Sequence, residues 1–481
     1  MYKLFIGGLI LSCIFILNGC SNGNTETSNE VTDIYEIVDY KVYVPSSAYT
    51  LTKQTLTVLL FNHMVQEIGP TVNRFTSRMR ESGLDVDVNF IEIISGDFEN
   101  ARMRLHTSMM AGNPPDLFIV VDLPLLSYAS MGMIADMWDL IDNDPSFCRS
   151  YLYKNVLEAF EINGKLVAMP MLFTVPLVGV NALLPESIIE RFSEYSYITI
   201  TEISSIYTDL LHYYPDFNHL VMLDTSTTES LVLFELSNHI DFANMELNFD
   251  RASFSLFLES SRYAFGGLSA LATTMPPETF QELLSGRVAF SMKQYSLNQA
   301  LALLETNPSF FVNHIPLASD DGRFIIHNTW SGGFEHDAST FAVAAGGNQK
   351  LAWEFMKELM SYFAFYMPTD HFGMSTLSTP IYRPFFQYRT ESILRNILTR
   401  RMRVPAGNIV VVIPEREATT AAADAAKKLA EINEQTMVIP PFIPSRLFME
   451  DVEMFMYGLI TADEAAQRVY NRLTIWILEQ Q

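Results

Sequence analysis

Met109-Met110-Ala111-Gly112-Asn113-Pro114-Pro115-Asp116-Leu117-Phe118-Ile119-Val120-Val121-Asp122 is the stretch from which the chain is best read. Glycine just past a helical run supplies a left-handed C-cap, so a helix is predicted to end at Gly112. Pro114 and Pro115 cannot continue it. Residues 117–121 then form an unbroken apolar, branched-rich run, the pattern of a strand buried on both faces of a parallel sheet. Asp116 opens that strand and Asp122 stands where it runs out. Ligands of open parallel sheets bind beyond the carboxyl ends of the strands, which makes Asp122 a candidate ligand contact. A turn aspartate that caps the next segment is the competing reading.

Upstream, residues 55–61 read as a strand and 66–82 as a helix stopped by Gly83. Residues 85–93 alternate apolar and polar side chains, a second strand, and 98–111 are helical. Strand, helix, strand, helix, strand at this spacing predicts an α/β unit with a parallel open sheet. Downstream, Ile162-Asn163-Gly164-Lys165 predicts a hairpin with Asn-Gly at its tip. Residues 172–181 are apolar and extended, suited to a crossing into a second lobe. From about 183 to 300 helices and short loops alternate, with strands at 288–292, 311–317 and 340–345 and a helix at 351–360. The last hundred residues read as helical, with one long helix within 414–434. Thr461 and Glu464 form a capping box, and Ala465, Val469, Leu473 and Trp476 make one apolar stripe behind it.

A length of 481 residues suits two lobes. Hydrophobic content of 49% with 12% aromatics excludes wholesale disorder. A formal net charge of −24 argues against a nucleic-acid partner. At the N-terminus, Lys3 precedes an apolar run over 4–17, too short for a comfortable membrane span, and Leu17-Asn18-Gly19-Cys20 follows. This is the pattern of a secretory leader over residues 1–20, with an uncleaved anchor helix as the alternative. Residues 21–50 then serve as a tether, Ser/Asn/Thr/Glu-rich in its first part. Cys13 falls in the leader, so with Cys20 at the cleavage site only Cys148 is left, and no disulfide is expected in the mature chain.

Leu17-Asn18-Gly19-Cys20 resembles a bacterial lipobox, which implies that Cys20 is lipidated. Several segments together resemble the extracellular solute-binding lipoproteins of bacterial ABC importers, specifically the carbohydrate-type family 1. They are the Ala-Gly-x-Pro-Pro-Asp turn with Met131-Gly132 to Asp139-Leu140 behind it, and the Asn163-Gly164-Lys165 hairpin running into Met169-Pro170. Gly286-Arg287-Val288-Ala289-Phe290, Asn348-Gln349-Lys350-Leu351-Ala352-Trp353-Glu354-Phe355-Met356 and the closing helix with Ala465-Ala466-Gln467 and Asn471-Arg472 complete the set. The segment 184–251 matches nothing in that family. The resemblance implies a two-lobed α/β periplasmic-binding-protein-like fold of type II, with a ligand cleft between the lobes and a helical C-terminus. It places lobe one at 51–178 and 318–366, and lobe two at 179–317 and 367–481. It implies a monomer, anchored by its N-terminal lipid to the extracytoplasmic face of the cell membrane. Its partners would be a small-molecule ligand, an oligosaccharide on this resemblance, and the transmembrane subunits of an ABC permease. No cofactor and no metal are implied.

A sugar cleft needs carboxylates, amides and flat aromatic faces. Trp330, in the loop Asn328-Thr329-Trp330-Ser331-Gly332-Gly333, either lines the cleft or packs elsewhere. Tyr295, just past the 288–292 strand, stands where family members often carry a ligand-stacking aromatic, with a surface or core tyrosine as the alternative. Phe173, at the crossing, is a third aromatic candidate. Asn62 and His63 end the first strand on its ligand side, although His63 could equally cap a helix. Trp138, Trp353 and Trp476 lie in amphipathic or apolar runs and are assigned to the core. No His-Glu-x-x-His, Gly-x-Ser-x-Gly or phosphate-loop motif is present, so non-catalytic binding is expected. The alternatives are a surface lipoprotein enzyme acting on glycans and a non-transport sensor of the same fold.

Overall fold

The computed structural model describes residues 52–94, 97–120, 123–173, 176–213, 221–224, 232–233, 235–236, 238–241, 245–264, 288–294, 311–318, 324–326, 339–365, 379–388, 390–391, 415–438 and 447–480. Strand β1 (Thr52–Phe61) runs straight into two helices, α1 (Asn62–Glu67) and α2 (Gly69–Glu81). The single helix expected over 66–82 is broken at Ile68, because Pro70 lacks an N–H and fits only the first turn of a new helix. Then come β2 (Leu84–Ile93), α3 (Phe98–Met110) and β3 (Leu117–Ile119). Gly112 has φ +74°, and the Asn113 N–H reaches back 3.0 Å to the Ser108 carbonyl, so the helix closes as its sequence predicts. β1 pairs in parallel with both β2 and β3.

Helices α4 (Leu125–Ser130) and α5 (Met137–Asp142) follow. At the hairpin tip Asn163 and Gly164 both take positive φ, +52° and +75°, the turn that the Asn-Gly pair predicts. Strands β4 (Met169–Pro170), β5 (Leu172–Phe173) and β6 (Pro176–Asn181) lead onward to α6 (Glu186–Ser193), α7 (Ile200–Tyr213), β7 (Val221–Asp224), α8 (Arg251–Ala264), β8 (Val288–Gln294) and β9 (Phe311–Pro316). The chain then returns through β10 (Thr340–Val343), α9 (Gln349–Phe365) and β11 (Thr379–Pro380). It ends in α10 (Glu415–Gln435), α11 (Met449–Met456) and α12 (Ala462–Gln480).

The strands build two principal sheets. The first has the order β2-β1-β3-β10-β4, with β10 antiparallel to both its neighbours, so the expected parallel sheet is completed by antiparallel strands. The second has the order β9-β6-β8-β7, with β6 antiparallel to β9 and β8. Strand β7 lies where the sequence reading placed only helices and loops; its parallel pairing with β8 holds it.

Buried apolar side chains form two clusters: the second follows the second sheet, and the first takes in the first sheet together with side chains of α8 and α10–α12. Leu177 belongs to the first and Val178 to the second; Leu317 belongs to the second and Ala318 to the first. Pro316 pairs with Leu177 and Ile315 with Val178, so both passages between the cores run side by side as paired strands. The capping box forms, with the Glu464 N–H donating to Thr461 Oγ1 at 3.1 Å. The stripe Ala465, Val469, Leu473 and Trp476 is buried in the first cluster, and α12 also packs on α8.

Asp116 explains the motif that opens the sequence reading. Its Oδ2 accepts the Thr57 N–H of β1 at 2.7 Å, and its Oδ1 accepts the Asn348 N–H at 2.6 Å. Asn348 in turn caps α9 through the Leu351 N–H at 3.2 Å. One carboxylate thus ties β1, β3 and the start of α9. Gly347 must be glycine here, since a Cβ would stand 2.6 Å from Asp116 Oδ1.

Candidate functional site

The carboxyl end of β1 passes directly into α1, so Asn62 and His63 sit beyond the carboxyl end of a parallel strand, where open sheets bind ligands. Both are half-buried. The His63 ring stacks on Phe61, with centroids 5.5 Å apart and planes 15° apart. Burial pulls the His63 pKa below the ordinary histidine value, and the Glu67 carboxylate opposes that shift. Glu67 also acts on the buried Tyr362 hydroxyl of α9, whose pKa is raised first by burial and then by that carboxylate. The carboxyl end of β1 therefore holds an imidazole and a carboxyl group, with a buried phenol behind them. Glu67 and Tyr362 were not singled out from the sequence. The signal for Glu67 was its spacing of four residues from His63 on one helix.

Phe173 does not serve as a ligand platform. It is 1% exposed and packs edge-on against Tyr153, with centroids 5.1 Å apart, inside the first core. An extended apolar segment says nothing of which face looks inward, and β5 turns this ring in. Asp122, Tyr295, Trp330 and Cys20 lie outside the described residues. Of the sequence-derived candidates the structure brings together Asn62 and His63.

The other tryptophans are core, as expected. Trp138 donates its Nε1–H to Glu161 at 2.7 Å beneath the Arg149 guanidinium, which lies 4.3 Å from the ring. Trp353 donates to Asp144 at 2.9 Å, and Lys357 reaches the same oxygen at 2.5 Å. Burial alone would raise the Asp144 pKa, but the hydrogen bonds from Lys357, Ser146 and Trp353 outweigh it and hold the carboxyl at about 2. Arg78 pairs with Glu354 and Glu358 next to this group and ties α2 to α9.

At the junction of the cores, β9 bulges between Val312 and Ile315. Asn313 takes φ +54° and donates its Nδ2–H to Ser193 Oγ at 2.6 Å. The bulge sets the His314 ring against Gly179 of β6, where a Cβ would meet Nε2 at 2.6 Å. Burial lowers the His314 pKa to about 4, with the Lys428 charge from α10 adding to the effect. Farther along, α10 is tied to first-core residues. Asn155 Nδ2 donates to the Asn433 carbonyl at 2.7 Å and Arg383 pairs with Glu434 at 2.7 Å.

Cys148 is disulfide-bonded, and its partner lies outside the described residues. Among the described residues no helix is long and apolar enough to cross a membrane. Among them, too, no group of three or more His, Cys, Asp or Glu side chains is placed to hold a metal ion.

No protein-family model matches the chain, and no curated protein sequence matches it. Solved structures do. The sugar-binding protein MalE from the phytopathogen Xanthomonas citri is 14% identical with a TM-score of 0.56, covering 89% of this chain and 100% of its own. An extracellular solute-binding protein of family 1 from Alicyclobacillus acidocaldarius is 11% identical with a TM-score of 0.50, covering 89% and 98%. A de novo designed esterase is 13% identical with a TM-score of 0.50, covering 89% and 99%. At these identities the likeness is one of fold. Two sheets, two cores and paired crossing strands give this chain the two-lobed α/β fold of the extracellular solute-binding proteins.

Proposed function

We propose that this chain is a lipid-anchored, extracytoplasmic solute-binding protein that delivers an oligosaccharide to an ABC importer. The observation that carries the reading is the pair of crossing strands. β6 and β9 pass from one core to the other within a residue of each other, at Leu177–Val178 and Leu317–Ala318. Adjacent crossings leave two packed bodies free to rotate about a short line, the geometry of hinge closure around a ligand. We place lobe one at 51–178 with 318–366 and lobe two at 179–317 with 367–481, with α8 and α10–α12 of lobe two packing into the first core. The sugar assignment is supported by the family resemblance and by the sugar-binding protein among the fold neighbours. Lipid attachment at Cys20 is supported by the leader and its lipobox-like ending.

The mechanism is non-covalent. Ligand contacts both lobes, the closed arrangement gains population by as much as the ligand prefers it, and the closed form docks on the permease. His63, Asn62 and Glu67 furnish polar contacts from lobe one; Asp122, Tyr295 and Trp330 furnish the remainder.

The test is thermal unfolding against mono- and oligosaccharides, peptides and polyamines. A ligand at about a hundred times its Kd adds roughly 2.7 kcal/mol of stability. A rise in Tm with one sugar class supports the assignment. A rise with peptides alone moves the substrate and keeps the binding role. Turnover of a glycan, or silence across the panel from a folded sample, overturns it.

A further inference from the structure

We infer that the outer face of α3 is a binding site for a soft monovalent metal ion, Cu(I), with Met103, His106 and Met110 as its ligands. The inference stands apart from the solute-binding reading above. The three residues are spaced three and then four apart on one helix, so they share a face, with successive Cβ atoms about 5–6 Å apart. All three are exposed. Met103 is 56% and Met110 54% exposed, whereas Ala101, Leu105 and Met109 fill the buried face of the same helix. The two thioethers therefore serve no packing role that the inner face does not already fill.

His106 is held as a ligand imidazole is held. Its Nδ1 lies 2.7 Å from the Tyr128 hydroxyl, and its ring stacks on Tyr128 with centroids 5.8 Å apart. Tyr128 is fully buried on α4, so its hydroxyl is a fixed anchor. Nδ1–H donating to that oxygen leaves the lone pair on Nε2, the arrangement of metal-bound histidines, whose second ring nitrogen is tied to a neighbouring group. A thioether lies to either side of this imidazole along the helix. Methionine has three rotatable bonds and a polarizable sulfur, so both side chains can turn toward one ion. The donor set selects the metal: thioethers suit Cu(I), magnesium and calcium take oxygen, and zinc takes thiolate, imidazole and carboxylate. Residues 102–110 contain no carboxylate. The Thr107 hydroxyl donates back to the Met103 carbonyl at 2.8 Å, and Arg104 reaches Asp97 at 3.1 Å, so these two polar neighbours are engaged elsewhere.

The test is NMR of the intact chain with isotope-labelled methionine methyl groups, titrated with Ag(I) in chloride-free buffer as a redox-stable stand-in for Cu(I), and with Zn(II) as the control. The methyl signals of Met103 and Met110, assigned from Met103→Leu and Met110→Leu, are expected to shift together and to saturate at one equivalent of Ag(I). Anaerobic Cu(I) displaces Ag(I) at the same signals, and Zn(II) leaves them in place. The doubly substituted chain loses the event. His106→Gln and Tyr128→Phe each weaken it about tenfold or more, the second by releasing the imidazole from its anchor. Signals that move only after other methionines have bound, an affinity unchanged in the double variant, or an equal response to Zn(II) overturns the site. If Tyr128→Phe does not fold, the three variants at exposed positions still decide. No solute enters these readouts, so their failure leaves the solute-binding proposal standing, and an empty ligand screen leaves the metal site standing.

Discussion

The imidazole of His314 fills the space that a side chain at Gly179 would need: a Cβ on that glycine would stand 2.6 Å from Nε2. The ring is buried against the second core and has no free swing. Gly179→Ala is therefore expected to cost about 1–3 kcal/mol, as overpacking does. Urea unfolding measures it. Combining it with His314→Ala should cost less than the two changes summed, because the clash is gone. Strict additivity would show that the two residues do not compete for space.

Asp116 satisfies two backbone N–H groups on two different elements. Asp116→Ala leaves both without an acceptor, and a loss of about 3 kcal/mol is expected from two charge-assisted hydrogen bonds. Gly347→Ala should damage the same joint from the opposite side, since its Cβ would press on that carboxylate. Chemical denaturation of the two variants is the check, and near-wild-type midpoints would refute the joint.

Acid should act in two separate windows. His314 titrates at about 4 when folded against an ordinary 6.5, so the folded chain binds fewer protons. Its contribution is complete above the ordinary value and falls by roughly 3 kcal/mol as pH drops between the two. Asp144 titrates at about 2 against 3.8, so its contribution is complete above the ordinary carboxylate value. That contribution, roughly 2 kcal/mol, is lost as pH falls from there through about 2. Lys357→Met should move the second loss to higher pH and leave the first in place. Stability measured at closely spaced pH values separates the two.

Trp330 and Tyr295 remain the aromatic faces proposed for the sugar. Trp330→Ala and Tyr295→Ala are each expected to weaken binding about tenfold to a hundredfold, the scale of a buried aromatic anchor. Calorimetry with the solute found in the thermal screen tests this, and unchanged affinity in both would move the cleft elsewhere.

Much of the fold was legible where the signal is local. Gly112 caps its helix, Asn163-Gly164 makes its turn, and the alternation over 85–93 becomes β2, because each depends on its own few residues. What escaped depends on partners. β7 is an apolar run that could have been helix, and only β8 makes it a strand. The break at Ile68 was visible in Pro70 and was overridden by helical periodicity on either side. In the candidate site, the place of Asn62 and His63 at the carboxyl end of β1 was legible from the strand pattern. Phe173 failed because burial is decided by Tyr153 and the rest of the packed core, which no local pattern encodes.

The position of β10 also governs when the protein can fold. β3 gains its second neighbour only from residues 340–343, and Asp116 gains its second hydrogen bond only from Asn348, 232 residues further along. Contacts so distant in sequence form slowly. A chain emerging from the ribosome N-terminus first stays unlocked until most of it has been made. The late arrival of one strand keeps the N-terminal sheet pliable until most of the chain is available to set it.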